Sequence, residues 1–488
     1  MHGATAPLTG QKTKPVPTRL FAALGLLALL GAAVWIGWIG FIASDDSLYF
    51  YGAERWLTAP PFAGDNHWTT RFPLLWSFAA MLLVFGKGFA AFAATALLWY
   101  AVLIAVVGLF VQRLAGDRAG WIAALLVGTM PVIVGNATTV SVDLIEAALL
   151  VGGGWLLGQA GCGPGAWRGG FLAGLCFGTA IVCRETALLS MLAFGPLFLI
   201  GRPVSRQVMI AAGVGLVTIL GGEALFQFWQ TGVPLRRYDI AFHHDSHIDR
   251  AANMEGNFLL HPAIDPLLVL LINDDFGLIF WVAALAVGAG GASFWRGAKA
   301  DPLIVLTAMA AADFLLVAVL VNKLVLNPRY FTLPAIVAVV IAALWLARCG
   351  PRLRWMVVGA IVASNLMLMS VGNAHPRWAM ESLIAACRSH PGEHVSGDPV
   401  SVRRARLSMR FLHLANARYA PAPAGGLLVV PADQAPAGTV LARYPSPPTR
   451  LGSLLRATGL EPHVPQPIRH RMFAPNPTML LVRTSPER

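Results

Sequence analysis

Long apolar stretches separated by short polar loops dominate the first 372 residues of the chain. The first stretch runs from Leu20 to Ile42 and follows Lys12, Lys14 and Arg19. The others lie at about 88 to 112, 119 to 138, 142 to 160, 169 to 183, 187 to 201, 207 to 229, 276 to 294, 302 to 321, 331 to 348 and 354 to 372. A helix needs about 20 apolar residues to cross a bilayer, so the pattern predicts about eleven crossings. The first stretch is too long for a typical signal-peptide core, which indicates a retained helix.

The apolar segment Phe72 to Gly86 decides the topology, because counting it as a crossing reverses every later loop. If it does not cross and the N-terminus is cytoplasmic, the inner loops hold 13 Lys and Arg against two acids, Asp117 and Asp301. The outer loops up to Tyr330 then hold 9 basic and 14 acidic residues. This asymmetry matches the positive-inside rule and favours the non-crossing placement. A short spanning helix over the same residues is the alternative.

The composition supports a membrane protein, since 56% of the residues are apolar and only 12% are charged. A soluble domain carries about a quarter charged residues, which excludes a single water-soluble globule. The net charge of +12 by itself suggests nucleic acid as a partner. Much of that charge lies in the inner loops and in the C-terminal region, so it orients helices and offers contacts to anionic lipid. No part of it indicates nucleic-acid binding.

After Ser370 the chain becomes polar and Pro-rich, with 14 basic and 6 acidic residues from Val371 to Arg488. The pattern predicts helices at 378 to 388, 402 to 415 and 448 to 458, and strands at 426 to 430 and 479 to 482. The predicted fold class is an all-α polytopic membrane protein of about 11 to 13 transmembrane helices with a small C-terminal α/β domain. We divide the chain into a cytoplasmic tail (1–19), a transmembrane domain (20–372) with a first outer loop (43–87), and an extracytoplasmic domain (373–488).

The first outer loop opens with the candidate acids Asp45 and Asp46. Adjacent carboxylates at a membrane surface repel each other and lose hydration, so they need a cation, a base role or hydrogen-bond donors. The alternative is a solvated helix N-cap, a position that Asp favours. Later in the loop, Arg71 is suited to bind a lipid phosphate through its planar fork, or else extends to the membrane interface as a lone arginine does.

Four short motifs, taken together, resemble the GT-C glycosyltransferases. They are Asp45-Asp46 with Tyr49, Arg71-Phe72-Pro73-Leu74, Val140-Ser141-Val142-Asp143, and Asn327-Pro328-Arg329-Tyr330-Phe331-Thr332-Leu333-Pro334. The resemblance covers roughly residues 20 to 350. It is to the branch that holds the protein O-mannosyltransferases of glycosyltransferase family 39 and the lipid A aminoarabinose transferase. All four motifs lie on the outer face in the favoured topology, which builds one site.

The resemblance implies that Asp45 is the catalytic carboxylate and that Asp46 and Asp143 accompany it. It places Arg329 and Tyr330 beside the phosphate of the donor. Two further arginines on the outer face, Arg71 and Arg184, are candidate phosphate ligands. The single Pro73 after Arg71 departs from many relatives, in which a basic residue or His is followed by two prolines.

The implied reaction transfers a sugar from a polyprenyl-phosphate carrier, with inversion, on the periplasmic face of a bacterial inner membrane. The acceptor is a protein, lipid A or another glycan, and membrane lipids are further partners. The resemblance implies no particular resident cofactor, and a divalent metal is the one candidate.

A second polar cluster at 243 to 250 contains His243, His244 and His247 with two aspartates. These side chains, with His67 of the first loop, are candidate ligands for a divalent metal such as Zn²⁺. An exposed acceptor-binding or merely solvated loop is the competing interpretation, because the spacing matches no standard motif.

Asp313 lies in the middle of an apolar stretch and supports a rival class, a lipid-linked saccharide transporter or flippase with an intramembrane relay. A non-catalytic membrane scaffold is the other alternative. Gly152-Gly153-Gly154 is typical of close helix packing rather than of a phosphate-binding loop.

Overall fold

The computed structural model describes residues 16–161, 165–243, 260–261, 264–297, 300–319, 326–372, 377–419 and 424–485. The part before residue 373 has only helices as regular elements in its described segments, and loops join them. Its helices are α1 (Val16–Ile36), α2 (Asp45–Thr58), α3 (Phe72–Phe85), α4 (Phe89–Ala115), α5 (Asp117–Thr129), α6 (Pro131–Thr138), α7 (Asp143–Gln159), α8 (Ala166–Cys183), α9 (Ala187–Met191), α10 (Phe194–Ile200), α11 (Arg206–Thr231), α12 (Arg236–His243), α13 (Asp265–Ile272), α14 (Ile279–Gly290), α15 (Asp301–Val319), α16 (Thr332–Arg348) and α17 (Pro351–Gly372). Short 3₁₀ turns cover Gly291–Trp295 and Pro328–Phe331.

Six helices in the described residues are long and apolar enough to cross a membrane. They are α4, α8, α11, α15, α17 and α16 taken with its preceding 3₁₀ turn. The pair α5 and α6 makes a seventh if it counts as one span, although the two helices are bent by 64°. Met130 has an extended backbone immediately before Pro131, as expected for a residue that precedes a proline. The chain is thus a multi-pass membrane protein. Shorter helices lie at the other predicted stretches, at Leu20–Ile36, Asp143–Gln159, Ala187–Ile200 and Ile279–Trp295.

The segment Phe72–Phe85 does not carry the chain to the other end of the bundle. At its start Arg71 contacts Tyr49 of α2, and just after its end Lys87 forms an ion pair with Glu54 of α2 at 2.9 Å. The ring of Phe89 lies 5.5 Å from that of Phe41, which follows α1. Helices α2 and α3 therefore form a hairpin at one end of the bundle, as the charge pattern predicts.

The glycine run in α7 packs against neighbouring helices. A Cβ added to Gly153 would lie 2.5 Å from the ring of Phe177 in α8, and one added to Gly154 would lie 2.5 Å from Leu306 in α15. Both distances are too short for a real contact, so these positions allow the close approach of α7 to its neighbours. The structure confirms the interpretation of this run as a packing motif.

The C-terminal domain contains a mixed five-stranded sheet in the order β2-β1-β3-β5-β4. Its elements are α18 (Trp378–Ser389), β1 (Val395–Ser396), α19 (Pro399–Phe411), β2 (Ala417–Arg418), β3 (Leu427–Pro431), β4 (Gly438–Tyr444), α20 (Arg450–Ala457), α21 (Gln466–Phe473) and β5 (Met479–Thr484). Strand β1 runs parallel to β2 and β3, whereas β5 is antiparallel to β3 and β4. The predicted α/β character and both predicted strands are confirmed.

The C-terminal domain shares a hydrophobic core with the α2–α3 hairpin. The ring of Phe411, at the end of α19, lies 5.3 Å from Phe50 of α2 and 5.2 Å from Phe89, in both cases edge-on. The preceding residue, Arg410, donates hydrogen bonds of 3.0 and 2.7 Å to the carboxylate of Glu54. These contacts attach the domain directly to the helix that begins with the acid pair.

Replacing Arg410 by Ala is expected to make the backbone amides of α2 exchange with deuterium about two- to fivefold faster. The pair is partly exposed, with 49% of the Arg410 side chain accessible, and pairs of this kind contribute about 0.2 to 1 kcal/mol. Hydrogen–deuterium exchange of the full-length protein in detergent measures the effect. Arg456→Ala is the matched control, because it removes a similar pair, with Glu461 at 2.7 Å, inside the C-terminal domain. Equal exchange of α2 in both variants would show that the Arg410 pair does not hold the helix.

Candidate functional site

The acid pair at the start of α2 is divided between two environments. Asp46 is buried, and its carboxylate accepts hydrogen bonds from the backbone N–H groups of Ile42, Ser44 and Ser47 at 2.8 to 2.9 Å. These bonds fix the turn that leads from α1 into α2. Asp45 is only partly buried, and its carboxylate forms no hydrogen bond or ion pair with a described residue. The turn held by Asp46 therefore leaves the Asp45 carboxylate without a hydrogen-bond or ion-pair partner among the described residues.

Tyr49 and Arg71 form a buried contact beside Asp45. Tyr49 lies four positions after Asp45, so both side chains lie on one face of α2. The Arg71 guanidinium donates to the hydroxyl of Tyr49 and contacts Nε2 of His67. Asp45 interacts electrostatically with Arg71. The first loop thus places a free carboxylate next to a cation held by two neighbours.

A second arginine, Arg184, neutralises the acids at the start of α7. It directly follows α8 and donates to Asp143 at 2.5 Å and to Glu146 at 3.3 Å. Its guanidinium also lies over the ring of Tyr330, 4.5 Å from the centroid. Asp143 and Arg184 are both buried, so each charge is stabilised by the opposite charge of its partner. In this arrangement Arg184 links the motif at Asp143 to the motif at Tyr330.

Arg237 holds the segment that carries Arg184. It is fully buried and donates to the carbonyl groups of Ile181 and Val182, which are otherwise unpaired at the end of α8. It also donates two hydrogen bonds to the Glu185 carboxylate, at 2.7 and 3.0 Å. Although burial opposes ionisation, Arg237 and Arg71 hold the pKa of Glu185 at about 2. Glu185 is therefore a permanent anion that contributes to holding Arg71.

Arg329 has the most available guanidinium of the site. Its Nε is buried without a hydrogen-bond partner among the described residues, and its side chain forms no ion pair there. It lines a small cavity of about 20 Å³ together with Asp143, Arg184 and Tyr330. That volume holds about one water molecule. An anionic ligand must therefore approach Arg329 from another side.

Asp313 lines the same small cavity, so it belongs to this cluster rather than to a separate relay across the membrane. It is buried in α15 and interacts electrostatically with Glu146 and Arg184. Its position weakens the case for a transporter, because the acid that suggested one is explained by its charged neighbours.

The candidate metal ligands are not brought together in the part of the chain that the structure describes. No group of three or more His, Cys, Asp or Glu side chains there is arranged to hold a metal ion. His67 contacts Arg71, and His243 lies at the exposed end of α12, 3.2 Å from Asp239. His247 falls outside the described residues, so a metal site that includes it stays a prediction.

Burial raises the pKa of the Asp46 carboxyl from its usual value near 3.8 to about 6, although its three backbone donors oppose the shift. Between about pH 4 and pH 6 the folded chain therefore holds a proton that the unfolded chain has lost. The resulting stabilisation is complete below about pH 4 and disappears as the pH rises through about 6. Asp46→Asn is expected to flatten the fall in melting temperature over this range. Thermal unfolding in detergent at several pH values measures this dependence, with the exposed Asp65→Asn as control. The same slope in Asp46→Asn as in the wild type would contradict the prediction.

Seven of the predicted residues lie at one end of the bundle, joined by contacts or electrostatic interactions. They are Asp45, Asp46, Arg71, Asp143, Arg184, Arg329 and Tyr330. Sequence reasoning placed Glu185 on the outer face with these residues, but it gave no site role to Glu146 or Arg237. Glu146 carries a local signal, since it lies three residues after Asp143 on one helix face. Arg237 carries no such signal, because its partners, two main-chain carbonyl groups and the Glu185 carboxylate, lie more than 50 residues away in the sequence.

The chain is similar to known proteins in sequence over one segment and in fold over most of its length. Residues 72–226, less than half of the chain, match the model of the dolichyl-phosphate-mannose-protein mannosyltransferase family. The apo crystal structure of ArnT from Cupriavidus metallidurans is similar to 87% of this chain and 96% of that one, with a TM-score of 0.56 at 12% identity. The chain has the fold of the GT-C glycosyltransferases.

Other structures share the GT-C fold with this chain. ArnT bound to undecaprenyl phosphate aligns with the same coverage and TM-score at 15% identity. An oligosaccharyltransferase from Archaeoglobus fulgidus in the apo form aligns over 84% of this chain and 70% of its own, with a TM-score of 0.52 at 12% identity. None of the curated protein sequences matches the chain. The GT-C likeness predicted from four short motifs is thus confirmed by the fold.

Proposed function

We propose that the chain transfers a sugar from a polyprenyl-phosphate carrier to an acceptor, with Asp45 as the general base. One observation carries the proposal: the free carboxylate of Asp45 lies at the same end of the bundle as three buried or half-buried arginines. These arginines, Arg71, Arg184 and Arg329, are called the arginine cluster. A carboxylate facing cations suits a reaction in which a proton is accepted while an anion departs.

The cations are suited to the departing phosphate. As the bond between the anomeric carbon and the phosphate oxygen breaks, negative charge develops on polyprenyl phosphate, and fixed donors stabilise it. Arg329 fits this role best, because its guanidinium has no ion-pair partner among the described residues. Arg184 is paired with Asp143 and Glu146, so it holds the cluster together and contributes its charge at longer range.

The acceptor hydroxyl forms the new bond to the anomeric carbon and gives its proton to Asp45. Attack from the side opposite the phosphate inverts that carbon. The reaction needs no nucleotide, since the carrier lipid supplies the activated sugar. We place it on the periplasmic face of a bacterial inner membrane, where the acidic loops would lie by the positive-inside rule. The similarity of the fold to ArnT bound to undecaprenyl phosphate supports the donor class.

The proposal is tested with purified protein in lipid nanodiscs, a panel of undecaprenyl-phosphate sugars and a bacterial envelope lipid extract as acceptor. Mass spectrometry is expected to show free undecaprenyl phosphate together with one glycosylated acceptor for at least one donor. A transporter would leave every donor intact and move it across sealed vesicles instead. Intact donors with all sugars tested would contradict the proposal.

The orientation is tested by labelling single cysteines in place of Lys87 and Arg113 with a membrane-impermeant thiol reagent. Position 87 is expected to react from the periplasmic side and position 113 only after the membrane is opened. Labelling of position 113 from outside in intact spheroplasts would place the site on the cytoplasmic face.

A further inference from the structure

A cavity of about 610 Å³ opens beside the arginine cluster, and no step of the reaction described above uses it. Its walls come from α6, from the segment between α13 and α14, and from the last turns of α17. Arg329 lines this cavity as well as the small cavity of Asp143 and Arg184. Binding sites for small molecules usually have volumes of about 300 to 1,000 Å³. The large cavity therefore has the size of a ligand site and shares Arg329 with the proposed phosphate site.

Two acids on one wall of the cavity are free to bind a ligand. The carboxylates of Asp274 and Asp275 form no hydrogen bond or ion pair with a described residue. The main chain at this point is fixed, because the carbonyl of Asp275 accepts from the N–H of Val132 at 3.0 Å and its N–H donates to Asn273 at 2.9 Å. A rigid backbone thus presents two unused carboxylates to the cavity.

The distribution of free polar groups indicates the chemistry of the ligand. Asp274 and Asp275 offer only acceptor oxygens, so they suit a ligand region that carries hydroxyl donors. Arg329 offers only donors and a positive charge, so it suits an anionic group on the same ligand. The remaining wall combines polar side chains, among them Asn136, Asn327 and Arg471, with apolar ones such as Ile39 and Leu368. A molecule with several hydroxyl groups next to a phosphate fits this division of the cavity.

We propose that the cavity holds the sugar of the donor lipid, with Asp274 and Asp275 accepting hydrogen bonds from its hydroxyl groups while Arg329 binds the phosphate. The assignment rests on the glycosyl transfer proposed above and adds the residues that recognise the sugar. Hydrogen bonds between a charged acceptor and a ligand hydroxyl are strong, so their loss reduces affinity substantially. Asp274 and Asp275 then determine which donor sugars the protein accepts.

The test compares undecaprenyl phosphate with the same lipid carrying different sugars. Full-length protein in nanodiscs is titrated with undecaprenyl phosphate and with a panel of undecaprenyl-phosphate monosaccharides, including a hexose, an acetamido sugar and a pentose. The variants are Asp274→Asn and Asp275→Asn, and Asp65→Asn is the control that removes an exposed acid of the first loop. Both cavity variants are expected to bind undecaprenyl phosphate as the wild type does. Their affinity for the preferred glycosylated lipid is expected to fall about 10- to 100-fold.

Three results would overturn the assignment. Unchanged affinity for the glycosylated lipid in both cavity variants would show that the acids do not bind the sugar. An equal loss for both lipids would show a defect in phosphate binding or in folding instead. In the third result, wild-type protein binds undecaprenyl phosphate with the same affinity whether or not the lipid carries a sugar. That result would contradict the sugar site and leave the phosphate site standing. Wild-type protein that binds neither lipid would instead contradict the proposed function itself.

Discussion

Replacing Asp45 by Asn is expected to lower the rate of sugar transfer by about 10²- to 10⁴-fold, the contribution typical of a general base. The amide has nearly the same shape as the carboxylate but does not accept the proton of the acceptor hydroxyl. Asp45 makes no hydrogen bond to a described residue, so the fold loses no internal hydrogen bond. Affinity for undecaprenyl phosphate is therefore expected to stay within about twofold of the wild type.

Transfer by Asp45→Asn is measured under single-turnover conditions, which separates the chemical step from lipid exchange. Asp65→Asn, in the same loop and exposed, removes the same charge without touching the site and is expected to retain wild-type rates. Equal turnover by the Asp45 variant would assign the base to another residue. A matching loss of lipid affinity would show that Asp45 acts through binding rather than through proton transfer.

Replacing Arg184 by Gln is expected to have the largest effect on stability. Asp143 and Glu146 would then remain close together in a buried site without their shared cation. Breaking a buried ion pair by removing one partner typically costs about 3 to 5 kcal/mol. The variant is expected to unfold at a clearly lower temperature in detergent and to give a lower yield of monodisperse protein.

Arg184→Lys keeps the positive charge and is expected to recover part of this loss, because a lysine reaches one carboxylate but lacks the planar fork. Arg352→Gln, at an exposed position at the start of α17, is the matched control for removal of an arginine. An Arg184→Gln protein with wild-type stability would mean that the two acids are neutral in the folded chain and do not need the arginine.

The sequence predicts the membrane part of the fold well where charge and hydrophobicity act together. The placement of α3 at one end of the bundle follows from loop charges, since the segment alone is apolar enough for either outcome. The breaks within predicted stretches are missed, because the apolar stretch from 187 to 201 is divided into two short helices, α9 and α10. Hydropathy indicates whether a segment prefers lipid or water, and it does not show where the backbone bends.

In the C-terminal domain the sequence does not reveal the elements that form only by pairing with segments distant in the chain. Strand β4 lies in a Pro- and Ala-rich stretch and is exposed over most of its length. It pairs with β5 through a register that includes a bulge near Leu441. An edge strand of this kind has little local hydrophobic pattern, so only its partner β5 is visible from the sequence.

The acid pair at the start of α2 is a second case in which the sequence does not reveal the local structure. Adjacent residues Asp45 and Asp46 look equivalent in the sequence, and both were candidates for catalysis. The structure separates them, because only Asp46 is turned toward the backbone donors of the preceding loop. Which of two neighbouring acids is buried depends on the turn between α1 and α2, which local composition does not specify.

The claim that this end of the bundle binds polyprenyl phosphate is tested most directly by one binding measurement. Undecaprenyl phosphate is titrated into nanodisc-embedded wild type, Arg329→Gln and Arg348→Gln. The two arginines flank the same helix, α16, at opposite ends. The account predicts at least a tenfold loss of affinity for Arg329→Gln and wild-type affinity for Arg348→Gln. Equal affinity of all three proteins, or a loss confined to Arg348→Gln, would contradict it.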